Sequence, residues 1–132
     1  MPTNLVEKYI DDGYITWQAG TGSFDSEKSK TSGVGILDVA RVSFKPLTTG
    51  DDYVVKFNMA GSGHVSAYVW PLTDDNADSQ SLDITLGDWQ TYTIKFHNQR
   101  TKTNPQFFIR TNADDQAIKF YLNDVRCYKV DK

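Results

Sequence analysis

The chain is poor in sulfur and imidazole chemistry. Its 132 residues include one cysteine, Cys127, and two histidines, His64 and His97. One thiol makes no internal disulfide, and no Cys/His spacing of the kind that binds a metal is available. Cys127 lies in an apolar stretch and reads as a small buried hydrophobe. Long apolar runs are missing as well. No segment approaches the roughly 20 apolar residues that span a bilayer. The opening residues, MPTNLVEKYIDDG, lack the apolar centre of a signal peptide. The chain therefore reads either as a protein that works without that export route or as an excised domain beginning at Met1. Positive charge is not in excess, since 14 Lys and Arg face 17 Asp and Glu, a net charge of −3. This balance gives neither the basic footprint of a nucleic-acid binder nor a polybasic patch for anionic lipid. Neither nucleic acid nor membrane insertion is expected.

Catalytic signatures are also lacking. There is no Gly-x-Ser-x-Gly elbow, no phosphate loop and no HExxH. Most acidic residues fall in expected turns, among them Asp11, Asp12, Asp51, Asp52, Asp74, Asp75, Asp78, Asp114 and Asp115. Glycoside hydrolysis needs two carboxylates about 5–10 Å apart across a cleft. Asp83 falls instead in the middle of an alternating segment, without an obvious acidic companion. The chain is not expected to be an enzyme, and no cofactor is expected.

What the sequence does contain is aromatic side chains and short alternating segments. Aromatics make up 13%, with seven Phe, seven Tyr and three Trp against two Met. That bias suits strands and sugar-stacking surfaces. Alternation with period 2 marks Leu5 to Tyr9, Tyr14 to Gln18, Val34 to Leu37 with Ala40 to Phe44, Tyr53 to Met59, His64 to Trp70, Ser81 to Leu86, Trp89 to Phe96, Gln106 to Thr111 and Ile118 to Val130. Between them stand turn and loop segments, including Gly20 to Gly33 with the anchor Phe24, Thr73 to Ser79, Asn98 to Pro105 and Asn112 to Gln116. Short strands at this spacing, in a chain the size of one domain, predict an all-β, two-sheet sandwich or barrel over residues 1–132.

The two faces of each strand are then separable. Tyr53, Val55, Phe57 and Met59 form one apolar set. Tyr92, Ile94 and Phe96 form a second, and Ile118, Phe120 and Leu122 a third. Two strands depart from the pattern of apolar core and polar surface. If Val65, Ala67 and Val69 face the core, His64, Ser66, Tyr68 and Trp70 face outward. If Phe107 and Ile109 face the core, Gln106, Phe108 and Arg110 face outward. Leu82, Ile84 and Leu86 turn inward and leave Ser81, Asp83 and Thr85 outside.

Large aromatics among polar groups on a solvent face are the informative observation. A sugar ring has an apolar face of C–H groups and a belt of hydroxyls. Tyr68, Trp70 and Phe108 suit the first; Arg110, Asp83, Gln106, Ser66 and His64 suit the second. The opposing possibility is a one-residue register slip, which exchanges the two faces and makes these aromatics core.

Several stretches, taken in order, resemble one family. Asn4-Leu5 opens the domain and Trp17 follows. FKPLTTGDDYVVKF (44–57), GDWQTYTIKF (87–96) and FYLNDVRCY (120–128) come next. Together they resemble the carbohydrate-binding modules of families 4, 9 and 22, which are jelly-roll sandwiches with relatives in phage tail and baseplate proteins. The resemblance implies an antiparallel jelly roll. It groups the Tyr53, Trp89 and final strands in one sheet. It groups the His64, Ser81 and Gln106 strands, with one near Val34, in the other, ligand-binding sheet. It implies a polysaccharide or oligosaccharide partner, an extracellular or virion-associated setting and membership of a larger assembly or multidomain protein.

A structural calcium is common in such modules, and Asp25, Asp51 and Asp124 are the available carboxylates. The usual Asp-Asp-Val is here Asn123-Asp124-Val125, one charge short. In the family pattern Trp89 is a strand-start packing residue. Trp17 suits either packing or the edge of a binding site. The alternative function is a structural or assembly domain whose aromatic face meets protein. Arg110 and Asp83 beside the aromatics favour sugar, because the centre of a protein interface is depleted in charge.

Overall fold

Alternation becomes strand along most of the chain in the computed structural model, which describes residues 2–11, 13–27, 37–72, 77–111 and 117–130. Ten strands run through those residues. They are β1 (Val6–Ile10), β2 (Thr16–Gln18), β3 (Thr21–Asp25), β4 (Asp38–Phe44), β5 (Asp52–Ser62), β6 (His64–Trp70), β7 (Ser81–Thr85), β8 (Gln90–His97), β9 (Gln106–Thr111) and β10 (Lys119–Val130). A short 3-10 turn, Ala77–Gln80, precedes β7. The first sheet has the order β1-β4-β9-β6-β7 and the second β2-β3-β10-β5-β8. Every pairing is antiparallel. Neighbours in space are mostly not neighbours in sequence, so the chain crosses repeatedly between sheets, as in a jelly roll.

The core lies between the sheets. Val65, Ala67, Val69, Phe107 and Ile109 reach it from the first sheet, and Val55, Phe57, Met59, Phe120 and Leu122 from the second, all with no exposed surface. The Phe57 and Phe107 rings meet across the gap at 4.8 Å. The expected inward sets are therefore the observed ones. The expected grouping of the Tyr53, Trp89 and final strands in one sheet and the His64, Ser81 and Gln106 strands in the other holds as well, while Val34 lies outside the described residues. Cys127 is fully buried, and burial pushes its thiol up to about 12, so it is an inert hydrophobe.

Two bulges alter the alternation. In β4 the register shifts between Asp38 and Ala40, and Val39 and Ala40 are both buried. Asp38 and Arg41 thereby face the same outer surface although they are three positions apart. In β10 the register shifts between Asn123 and Arg126, with Asp124 at φ 53°. Val125 and Cys127 then point inward after Phe120 and Leu122.

The segment Gly20 to Gly33 was expected to be a loop, but Thr21–Asp25 is strand β3, with Phe24 in the core. Glycine at position 22 reflects packing. A Cβ there would lie 2.6 Å from Ile15 Cδ1 and 2.7 Å from the Trp17 ring. Of the expected strand at 34–37, only Leu37 is described. It lies outside β4 and exchanges hydrogen bonds with Thr111. Residues 28–33, 73–76 and 112–116 belong to expected loops outside the described residues, as do Asp12, Asp74, Asp75, Asp114 and Asp115.

Candidate functional site

Cross-strand register places all eight expected site residues on the outer face of the first sheet. Trp70 on β6 lies beside Gln106 on β9. In the next row Tyr68 lies beside Phe108, with Ser81 on its other flank and Arg41 beyond Phe108. Ser66 lies beside Arg110 and Asp83, with Asp38 beyond Arg110. His64, exposed, ends the face beside Thr85.

Side chains in the middle rows hold one another. Tyr68 and Phe108 stack at 5.1 Å, with their planes 14° apart. The Arg110 guanidinium lies 4.9 Å from the Tyr68 ring centre, and that of Arg41 lies 5.7 Å from the Phe108 ring centre. Arg41 also donates through Nε and Nη2 to Gln106 Oε1, at 3.3 and 3.2 Å. Asp38 gathers two of these groups. Its Oδ1 accepts from Tyr68 OH at 2.9 Å and from Arg110 Nε at 3.0 Å, and its Oδ2 accepts from Arg110 Nη2 at 3.3 Å. Arg110 Nη2 donates in turn to Tyr68 OH at 3.0 Å. Burial, then the bond to Asp38, pushes the Tyr68 hydroxyl up to about 12. The hydrogen bond to Asp38 likewise raises the Arg110 guanidinium. At the edge, Ser66 Oγ donates to Asp83 Oδ1 at 2.8 Å.

Exposure separates the roles of the aromatics. Trp70 is 46% exposed, whereas Tyr68 is only 7% exposed. The expected stacking face of Tyr68 is therefore corrected. Phe108 and Arg110 already cover its ring, so it positions neighbours and leaves little surface for a ligand. Phe108 remains half-buried, and Arg110 is exposed. Asp38 and Arg41 were missed by strict alternation, which assigns Asp38 to the core face. The legible signal was a pair of opposite charges at a spacing of three inside an apolar run.

The other tryptophans have different fates. Trp17 is half-buried, donates to Ile10 O at 3.1 Å and meets the Tyr9 ring at 4.6 Å, so of its two alternatives packing is observed. Trp89 was expected to pack but is 51% exposed, because it precedes β8 and its ring lies outside the second sheet near Tyr121. The three carboxylates considered for calcium do not converge. Asp25 pairs in register with Lys119 at the start of β10, and its Oδ1 accepts from Glu27 N. Asp124 pairs with Arg126, and Asp51 with Lys129 near the far end of β10. Asp25 and Asp51 are thus separated by most of that strand, roughly 30 Å. These residues do not fit one calcium site. Among the described residues no three His, Cys, Asp or Glu side chains come together.

His64 and His97 lie on different sheets, so they form no catalytic pair. Among the described residues no helix is long and apolar enough to cross a membrane.

No family model and no curated protein matches the chain. Its fold does match solved structures. A family 4 carbohydrate-binding module is 15% identical with a TM-score of 0.64, covering 98% of this chain and 79% of that one. The N-terminal cellulose-binding domain of Cellulomonas fimi β-1,4-glucanase C is 14% identical with a TM-score of 0.59, covering 97% and 89%. A cyclase from Fischerella sp. TAU is 12% identical with a TM-score of 0.58, covering 98% and 75%. The chain thus has a jelly-roll β-sandwich of the kind found in carbohydrate-binding modules. The same fold also carries a cyclase, so fold does not decide catalysis.

Proposed function

We propose that this protein binds carbohydrate without catalysis, through the outer face of the first sheet. One observation carries the reading. Trp70 and Phe108 share that face with a set of hydrogen-bonding groups already held in place: Arg110, Asp38, Gln106, Ser66 and Asp83. Trp70 and the free part of Phe108 cover the C–H face of a sugar. Arg110, Gln106, Asp83, Ser66 and His64 reach its hydroxyls, while Tyr68, Asp38 and Arg41 fix the geometry. Prior ordering reduces the entropy lost on binding. Water still competes for each hydroxyl, so affinity per site is low and several copies reinforce one another.

The carbohydrate-binding structures that share the fold support the same reading. A polysaccharide ligand is consistent with work outside the cell or on a virion, within a larger protein or assembly, and this setting is part of the proposal. Asp38 and Asp83 accept hydrogen bonds from Tyr68, Arg110 and Ser66, and in this reading they orient the face rather than act as an acid–base pair. A glycan array probed with multimerised protein tests the proposal. A signal lost in Trp70→Ala, with folding intact, is the expected result. An array silent for well-folded protein, with Trp70→Ala changing oligomer size, would replace this reading with an assembly role.

A further inference from the structure

The outer face of the second sheet carries its own aromatic pair. Trp89 and Tyr121 are 51% and 43% exposed, and their rings lie 6.4 Å apart at 31°. Tyr121 on β10 pairs in register with Ala60 on β5, next to the pairing of Met59 with Gln90. The small methyl of Ala60 leaves the floor low between the two rings. Beside Trp89 opens a hollow of about 330 Å³, lined by Asn58, Gln90, Thr91 and Asn123. Thr91 Oγ1 donates to Asn58 Oδ1 at 2.7 Å, which orients that amide. A second hollow of about 520 Å³ shares Asn58 and Asn123 and extends towards Thr21 and Tyr9. A third, of about 320 Å³, lies on the other side of Tyr121, against Tyr14, Ser23 and Lys119.

We propose that this surface is a second carbohydrate site, taking a neutral oligosaccharide segment over Trp89 and Tyr121. Core packing does not hold these rings, and a tryptophan half in water is costly without a partner. The polar lining of the Trp89 hollow consists of amides and a hydroxyl, with no ionisable group. Around Trp89 a phosphate or uronate finds no cation, since Lys119 lies beyond Tyr121 in the third hollow beside Asp25, and Asp124 borders the second, whereas sugar hydroxyls find both donors and acceptors. The apolar surface amounts to two rings edged by polar groups, too small for the centre of a protein interface. The domain then binds one glycan on each sheet and can bridge two chains.

The inference is independent of the first face, and one experiment separates the two. Cellohexaose, laminarihexaose, xylohexaose and mannohexaose are titrated into labelled protein, and the indole and amide NMR signals are followed. At least one sugar is expected to shift the Trp89 indole and the Asn58 and Asn123 amides. That response persists in Trp70→Ala and weakens at least tenfold in Trp89→Ala and in Tyr121→Ala. Trp70 responding while Trp89 stays unmoved by all four sugars would overturn the second site and leave the first. Silence at both indoles would overturn the second site as well.

Discussion

At the scale of single residues, the proposed binding face of the first sheet divides into groups placed to touch a ligand and groups that hold them. Trp70 belongs to the first kind. Being nearly half exposed, it packs less than a core aromatic, so Trp70→Ala is expected to destabilise by about 1–2 kcal/mol and leave the protein folded. Glycan binding should weaken roughly tenfold, the value of about one aromatic contact. Chemical denaturation and a binding isotherm check the two numbers separately.

Tyr68 belongs to the second kind, and its pH dependence shows this. Its folded pKa of about 12 lies above the ordinary value of 10.0. The stability it contributes is therefore complete below pH 10 and lost as pH rises from 10 through 12. Tyr68→Phe should lose less stability than the parent between pH 9 and pH 11, measured by urea midpoints at each pH. Equal losses would show that Tyr68 is not held as described. Only some of these roles were legible from the sequence. Alternation identified which side chains face outward, but it is blind to neighbours covering one another, and so it could not show that Tyr68 is enclosed.

At the scale of elements, long alternating strands were legible and interruptions were not. His64–Trp70 and Gln106–Thr111 have the expected limits, because each alternates without a break between turn signals. β3 was hidden because Gly22, needed under Ile15 and Trp17, looks like loop composition. The β4 bulge was hidden because a bulge is a pairing property, set by β9 as much as by β4.

Close contact between β5 and β10 gives a sharp prediction. Gly61 has φ 151°, and a Cβ there would run into the Lys119 carbonyl oxygen and lie 2.7 Å from Phe120 Cα. Gly61→Ala should destabilise by more than the about 1–3 kcal/mol of backbone strain alone, since strand backbone must also move. Phe57→Ala, at the centre of the core, should cost about 3–5 kcal/mol. Urea unfolding reads both, and a near-neutral Gly61→Ala would contradict the described approach of the strands.

At the scale of the whole molecule, the sandwich was legible because both sheets repeat the same simple rule of apolar inward and polar outward. Whether Asp25, Asp51 and Asp124 could share a calcium ion was not legible, since ligand geometry depends on where turns meet. Asp25 and Asp51 lie near opposite ends of β10. A chelator is accordingly expected to leave the melting midpoint unchanged, and a fall of several degrees would show a metal site elsewhere in the chain.

Carbohydrate binding by the first-sheet face is read out by affinity electrophoresis. Wild type and Trp70→Ala are run through native gels containing soluble cellulose derivatives, xylan, mannan or mixed-linkage glucan. Retardation of wild type by at least one polysaccharide, relieved in Trp70→Ala, is the predicted result. Equal mobility of the two proteins in every gel would contradict the account.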